Sequence, residues 1–198
     1  MIKGSVNVTS KSKADEVQRY LREVDQMQVF IGIPEDTTNR REGEMTNAAL
    51  CYIHTNGSQL RNLPARPIIE PAINAPGNKE AIEEEMKQAI EQMLFRQDTI
   101  KAFRHLKRAG MLGQNAARNW FTDPRNAWAP NKPSTILGKV SKLTGKKRAA
   151  AIDAIASGKS MAGIDTPLID TGQLRKAIIY VVKLKGNPQV FKDDGGSE

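Results

Sequence analysis

The sequence has few of the residues that build disulfides, metal sites or aromatic cores. Its 198 residues include one cysteine and two histidines, and aromatic residues make up only 5%. One cysteine cannot form an internal disulfide, and two histidines in irregular spacing with it predict no metal site of a known type. The low aromatic content predicts a modest core with extended or exposed segments.

Long apolar runs are also missing. No stretch approaches the roughly 18 apolar residues that a membrane-spanning helix needs, and the first residues, Met1–Val6, lack the apolar core of a signal peptide. We therefore expect no membrane contact, and we expect the protein to stay in the cytoplasm where it is made.

Nucleophiles with an activating base are scarce. Cys51 ends an apolar run over 48–51, which predicts a small buried residue rather than a reactive thiol. His54 is the nearby candidate base, but its place beside Gly57 favours a packing or hydrogen-bonding role. The sequence contains no phosphate-binding glycine loop and no nucleophile elbow. We predict no catalytic residue, no cofactor and no enzymatic activity.

The triplet Asp170-Thr171-Gly172 is similar to the aspartic protease signature, but a protease reading needs a second carboxylate that shares the proton. A capped turn explains the triplet better. Asp170 or Thr171 can accept from free N–H groups of a helical turn over 173–177, and Gly172 frees the backbone where the chain reverses.

Charge is concentrated in one part of the chain. The net charge is +8, yet residues 101–150 alone hold twelve Lys or Arg and one acid, a net of +11. Such a block can bind phosphates or an acidic protein surface, or serve only solubility. Candidate contacts to DNA or to a partner are Lys139, Lys142, Lys146, Lys147 and Arg148.

Periodicity predicts an α+β fold: a small, mainly antiparallel sheet packed against one long helix, with extended loops. Helices are predicted over 12–27, 45–55, 78–109 and 147–157, a short helical turn over 68–74, and strands over 28–33 and 178–182. We expect a single domain over 1–198, with a loop at 34–44, a basic loop or insertion at 123–166 and a flexible tail at 193–198.

Arg66 stands between two prolines, Pro64 and Pro67, which stiffen the segment. A stiff segment can hold the guanidinium fork in one direction at low entropic cost. That suits a carboxylate on a neighbouring subunit, and the alternative is an exposed arginine in an ordinary loop.

Several motifs recur in one order along the chain: a strand over 29–33, then Ile53-His54 with Gly57, then the Pro64–Pro67 segment. Trp128-Ala129-Pro130 with Thr135 and Lys139 follows, and the run Pro167–Arg175 comes last. This order, with a long helix between the motifs, resembles the tailed-phage head–tail joining proteins: the HK97 gp10-like neck, virion morphogenesis and tail completion group. The matching positions singled out are His54, Gly57, Pro64, Arg66, Pro67, Trp128, Pro167, Asp170, Thr171, Gly172 and Leu174.

The resemblance implies a non-enzymatic virion subunit, assembled in the host bacterial cytoplasm into a ring around the DNA channel. The expected partners are copies of itself, portal or head-closure proteins on the head side, and tail terminator or tail tube proteins on the tail side. Contact with genomic DNA in the channel, through which DNA is ejected, is also implied. The alternatives are a tail terminator or head-closure ring, or a sequence-independent DNA-binding protein.

Overall fold

The computed structural model describes residues 27–34, 45–159, 161, 163–170, 172–184 and 187–191, together with residues 15, 18, 19, 21, 22 and 25. Those six early residues are helical, as predicted for 12–27. The rest of that helix, the loop over 35–44 and the tail over 193–198 lie outside the described residues.

A three-stranded sheet has β2 (Ile179–Leu184) between β1 (Met27–Gly32) and β3 (Asn187–Phe191). β2 pairs antiparallel with β3, with Val182 opposite Phe191. Both strands predicted from β-branched runs are therefore confirmed, and so is the α+β class with a small sheet and a long helix.

Helices fill most of the remaining described chain. In chain order they are α1 (Asn47–Asn56), α2 (Ile69–Asn74), α3 (Asn78–Arg96), α4 (Thr99–Trp120), a 3-10 turn (Pro124–Asn126), α5 (Pro133–Ser141), α6 (Gly145–Ala156) and α7 (Gln173–Lys176). α1 begins where the Thr46 hydroxyl accepts from the Ala49 N–H at 3.1 Å, and it ends at Gly57 as predicted.

The prediction of one helix over 78–109 is wrong. The chain leaves helical geometry at Gln97, whose φ is +52°. Asp98 then caps the N-terminus of α4, because its carboxylate accepts from the Lys101 N–H at 2.9 Å. That bond and the Lys101 side chain lower the pKa of the Asp98 carboxyl. His105 and Glu85, 2.7 Å apart, join the two helices across the break.

The helix predicted over 78–109 stops one residue before Gly110, yet Gly110 is buried inside α4. A Cβ there would collide with the ring of Tyr180 on β2. The glycine thus permits a close approach between strand and helix, a role that its position in the sequence does not distinguish from helix termination.

The description of 123–166 as a loop is also wrong for 133–156. Pro133 starts α5 as an N-terminal residue, where a missing N–H costs nothing. Val140 of α5 and Ala151 of α6 pack together with Ile164 from the segment after α6. The helix predicted over 147–157 corresponds to α6.

Two compact units divide the chain. The first comprises the described parts of Met1–Phe30, Glu80–Met111 and Tyr180–Glu198, and the second comprises those of Ile31–Lys79 and Leu112–Ile179. The single-domain organisation over 1–198 stays a prediction. Within the second unit the core is centred on Ile68, Phe121 and Ile178, all nearly inaccessible to solvent.

Candidate functional site

Residues from four of the five predicted motif segments line one cleft in the second unit. Its volume is about 870 Å³. Eight of the positions predicted from the sequence line it: His54, Pro64, Arg66, Lys139, Lys142, Asp170, Gly172 and Leu174. These residues come from chain positions up to 120 apart, so folding brings together what the sequence separates.

Arg66 joins two of these segments. Its side chain is buried, and its Nη2 donates to the carbonyls of Ala129 at 2.8 Å and Pro130 at 3.3 Å. Nε donates to the same Ala129 oxygen at 3.3 Å. Burial lowers the pKa of the guanidinium, which nonetheless remains charged at any physiological pH. The alternative of an exposed arginine is wrong, because the side chain is buried and its fork binds main-chain oxygens of its own chain. The contact with a carboxylate of a neighbouring subunit stays a prediction.

Trp128 completes the connection from the other side. Its indole Nε1 donates to the Pro67 carbonyl at 3.1 Å, and its ring meets Phe121 edge-on at 5.7 Å between centroids. Arg66 and Trp128 thus each donate hydrogen bonds to the other's segment, and together they join residues 64–67 to residues 128–130. The two prolines flanking Arg66 fix the backbone that carries these donors and acceptors.

Gly57 sets the turn that brings the Arg66 segment back to α1. Its φ is +72°, and a Cβ there would lie 2.7 Å from the Ala65 nitrogen. The Arg66 N–H donates to the His54 carbonyl at 2.7 Å across this turn. Only glycine meets both the dihedral angle and the spacing.

His54 lies half-buried at the cleft with its Nδ1 lacking a hydrogen-bond partner among the described residues. Burial and the neighbouring Arg66 charge lower the pKa of the imidazole, which favours the neutral form. Cys51, one turn earlier, is buried, as predicted. Burial raises the pKa of its thiol, which opposes thiolate formation.

Lys139 ties α5 to the segment before the Asp-Thr-Gly turn. Its Nζ donates to the carbonyls of Gly163 at 3.2 Å, Thr166 at 3.0 Å and Ile169 at 2.6 Å. Burial lowers the pKa of this ammonium group, against the attraction of Asp170 and Asp165. All three donors of the ammonium group are used within the chain. The contact of Lys139 with DNA or a partner stays a prediction.

The turn itself contains Gly172 at φ +75°, followed by α7 over 173–176, and Leu174 on α7 is buried in the core. The Asp170 carboxylate accepts from Lys142 Nζ at 2.8 Å in an exposed ion pair. Thr171 lies outside the described residues. Pro167 is half-buried just before Leu168, whose φ is +60°.

Lys146, Lys147 and Arg148 lie away from the cleft. They form the first turn of α6, and all three are exposed. Positive charge at a helix N-terminus is repelled by the positive end of the helix dipole, so these three residues do not stabilise the helix.

Sequence reasoning missed two residues that hold the same region. Asn131 donates to the carbonyls of Ile164 and Asp165, and Arg118 donates to those of Ile178 and Lys176. Asn131 directly follows the Trp-Ala-Pro motif, which was a usable signal. Arg118 lies in the middle of a helical pattern, where nothing distinguishes it from a solvated base.

In this arrangement, the cationic side chains of Arg66 and Lys139 bind main-chain carbonyls of the same chain. No group of three His, Cys, Asp or Glu able to hold a metal ion occurs among the residues that the structure describes. In the same part of the chain, no helix is both long and apolar enough to span a membrane. Comparison with family models, with curated proteins and with solved structures found no match.

Proposed function

We propose that this chain is a structural subunit of an oligomeric ring in the neck of a tailed bacteriophage, where the DNA-filled head joins the tail. One observation carries the proposal. The motifs on which the resemblance to head–tail joining proteins rests are spread over more than a hundred residues, and four of the five contribute residues to a common cleft. A resemblance by chance gives no reason for such convergence.

The bonds within the cleft support a scaffold role. Arg66 and Lys139 each donate to two or more main-chain carbonyls, and Trp128 donates to another. Cations used in this way fix loops in place. A rigid set of loops is what a subunit needs in order to present the same surface to every neighbour in a ring.

Exposed apolar side chains support an assembled state. Leu60 is fully exposed, Phe95 is 77% exposed and Tyr52 is 72% exposed. Side chains of this kind are available for contacts with other proteins. In the proposed neck, copies of this chain and the adjoining head and tail proteins cover them.

The experiment is analytical ultracentrifugation of the full chain over a range of concentrations, followed by negative-stain electron microscopy. We expect a discrete oligomer that appears in end view as a closed ring with a central opening. Cryo-electron microscopy of the phage should then show the same ring between portal and tail. A monomer at every concentration that is also absent from the particle would refute the proposal.

The layer of the neck is a separate question with its own test. A neck or tail completion subunit binds the head-side complex, whereas a tail terminator binds the tail tube. Mixing the purified ring with portal-containing heads and, separately, with isolated tails assigns the layer by which of the two it joins.

A second candidate function is sequence-independent DNA binding, favoured by the exposed turn Lys146, Lys147 and Arg148. Phosphate contacts make affinity fall steeply with salt, by roughly one power of the salt concentration for each neutralised phosphate. Tight, salt-sensitive binding by the isolated monomer favours this function. DNA binding that appears only in the oligomer fits a ring around a DNA channel.

A further inference from the structure

An apolar groove lies along α3. It is lined by Met86, Ile90 and Phe95 together with Glu83, Lys87 and Glu91, and its volume is about 460 Å³. Ile90 is 38% exposed and Phe95 is 77% exposed. Met86 and Ile90 are one turn apart on the same side of the helix, where exposed apolar side chains can receive a partner helix, and Phe95 lies farther round the helix near its end.

The surroundings of the groove are acidic. Residues 80–91 contain five Glu and one Lys, a net charge of −4. The acids are concentrated toward the start of α3, and the most exposed apolar residue, Phe95, lies near its end. A suitable occupant is therefore a helix with a basic beginning followed by exposed apolar residues.

α6 of this same chain has that pattern. Arg148, Ile152 and Ile155 follow one another at i, i+4 and i+7, and Ile152 and Ile155 are 52% and 45% exposed. The first turn holds Lys146, Lys147 and Arg148 and no acid. The positive end of the helix dipole adds to this charge.

We propose that α6 of one copy docks into the α3 groove of a second copy. With the two helices parallel, Arg148 meets the acids around Glu83, and Ile152 and Ile155 enter the groove beside Ile90. The interface joins two different surfaces, so each copy uses one of each and the assembly propagates from copy to copy until it closes. This inference rests on the proposed ring, and it names the contact that builds it.

Charge exchange tests the contact in the full chain. One variant reverses the groove (Glu83→Lys with Glu91→Lys), and another reverses the helix (Lys147→Glu with Arg148→Glu). Each variant alone presents like charges at the contact, so we expect at least a tenfold weaker association in sedimentation experiments. An equimolar mixture of the two regains an opposite-charge contact in both directions, and we expect it to reassemble. Reassembly also shows that both variants are folded.

Cysteine cross-linking tests the pairing of surfaces. In a background in which Cys51→Ala removes the native thiol, Ile90→Cys and Ile155→Cys are introduced singly and together. Under mild oxidation we expect no cross-link from either single variant and a ladder of dimers, trimers and larger species from the double variant. A dimer from Ile90→Cys alone would reveal a symmetric α3 contact and overturn the proposal.

The outcomes separate this contact from the ring itself. If wild-type protein forms rings and both charge variants do so equally well, the α6–α3 contact is refuted and the ring stands. If wild-type protein forms no oligomer and the double cysteine variant gives no ladder, both fall together.

Discussion

Lys139 and the three cations at 146–148 belong to the same basic stretch, yet the fold uses them differently. Lys139 is half-buried with three carbonyl partners, whereas Lys146, Lys147 and Arg148 are exposed on the first turn of α6. Lys139 lies opposite the non-helical segment 163–169 and binds three of its carbonyls, and the other three cations lie on a helix whose own carbonyls form helical hydrogen bonds. A basic residue in the sequence can therefore either bind main-chain carbonyls or stay exposed, and the surrounding backbone decides which of the two occurs.

We expect the largest loss of stability from substitution of Arg66, a buried cation that binds main-chain carbonyls as Lys139 does. Arg66→Ala removes a buried side chain and the donor that binds the carbonyls of Ala129 and Pro130. Hydrogen bonds to a charged group contribute about 1.5–3 kcal/mol, and the buried alkyl stem adds packing, so we expect a loss of about 3 kcal/mol in the free energy of unfolding. Urea denaturation measures it.

The matched control is Arg61→Ala, because Arg61 lines the same cleft but is exposed. We expect it to change stability by less than about 0.5 kcal/mol. Equal losses in the two variants would show that the Arg66 bonds do not hold the cleft.

Gly57 tests the turn that delivers Arg66 to its partners. Gly57→Ala meets both a left-handed φ of +72° and a backbone atom 2.7 Å from the new Cβ. We expect a loss of about 2–3 kcal/mol in thermal or urea unfolding. Gly77→Ala is the comparison, since its φ is +86° but no atom lies within 4 Å, and only the dihedral cost of about 1 kcal/mol applies there.

His54 gives the cleft a pH dependence. Burial and Arg66 lower the pKa of this imidazole in the folded protein, so the unfolded chain takes up the proton first as the pH falls. The contribution to stability is complete above about pH 6.5, the ordinary value, and is lost as the pH falls below it toward the folded-state pKa. One proton limits the slope to about 1.4 kcal/mol per pH unit, and the half-buried site makes it smaller.

Urea unfolding from pH 7.5 to pH 5 should show this slope in wild-type protein and lose it in His54→Gln. An exposed substitution outside the cleft, Gln59→Ala, should keep it. The same slope in His54→Gln would assign the pH dependence to other groups.

The sequence predicted the elements better than the contacts. β1 and β2 followed from β-branched runs, and α1 followed from its apolar pattern and Gly57, because these signals are local. β3 was not predicted. The break at Gln97 was missed because a left-handed glutamine has no distinctive local pattern, although Asp98 one residue later is an ordinary N-cap. The hydrogen-bond partners of the motif residues were not predicted. That Arg66 and Lys139 bind main-chain carbonyls depends on segments more than twenty residues away.

We expect the smallest change in stability from substitution of the exposed cations at 146–148. Replacing Lys146, Lys147 and Arg148 together by alanine removes three like charges from the N-terminal turn of α6, where the helix dipole disfavours them. We expect the free energy of unfolding to stay within about 0.5 kcal/mol of wild type or to rise slightly. Self-association and any salt-sensitive DNA binding should weaken in the same protein, as sedimentation and a salt titration measure. A loss of stability as large as that of Arg66→Ala would mean that these cations, too, hold the fold, and the division between buried and exposed charges would fail.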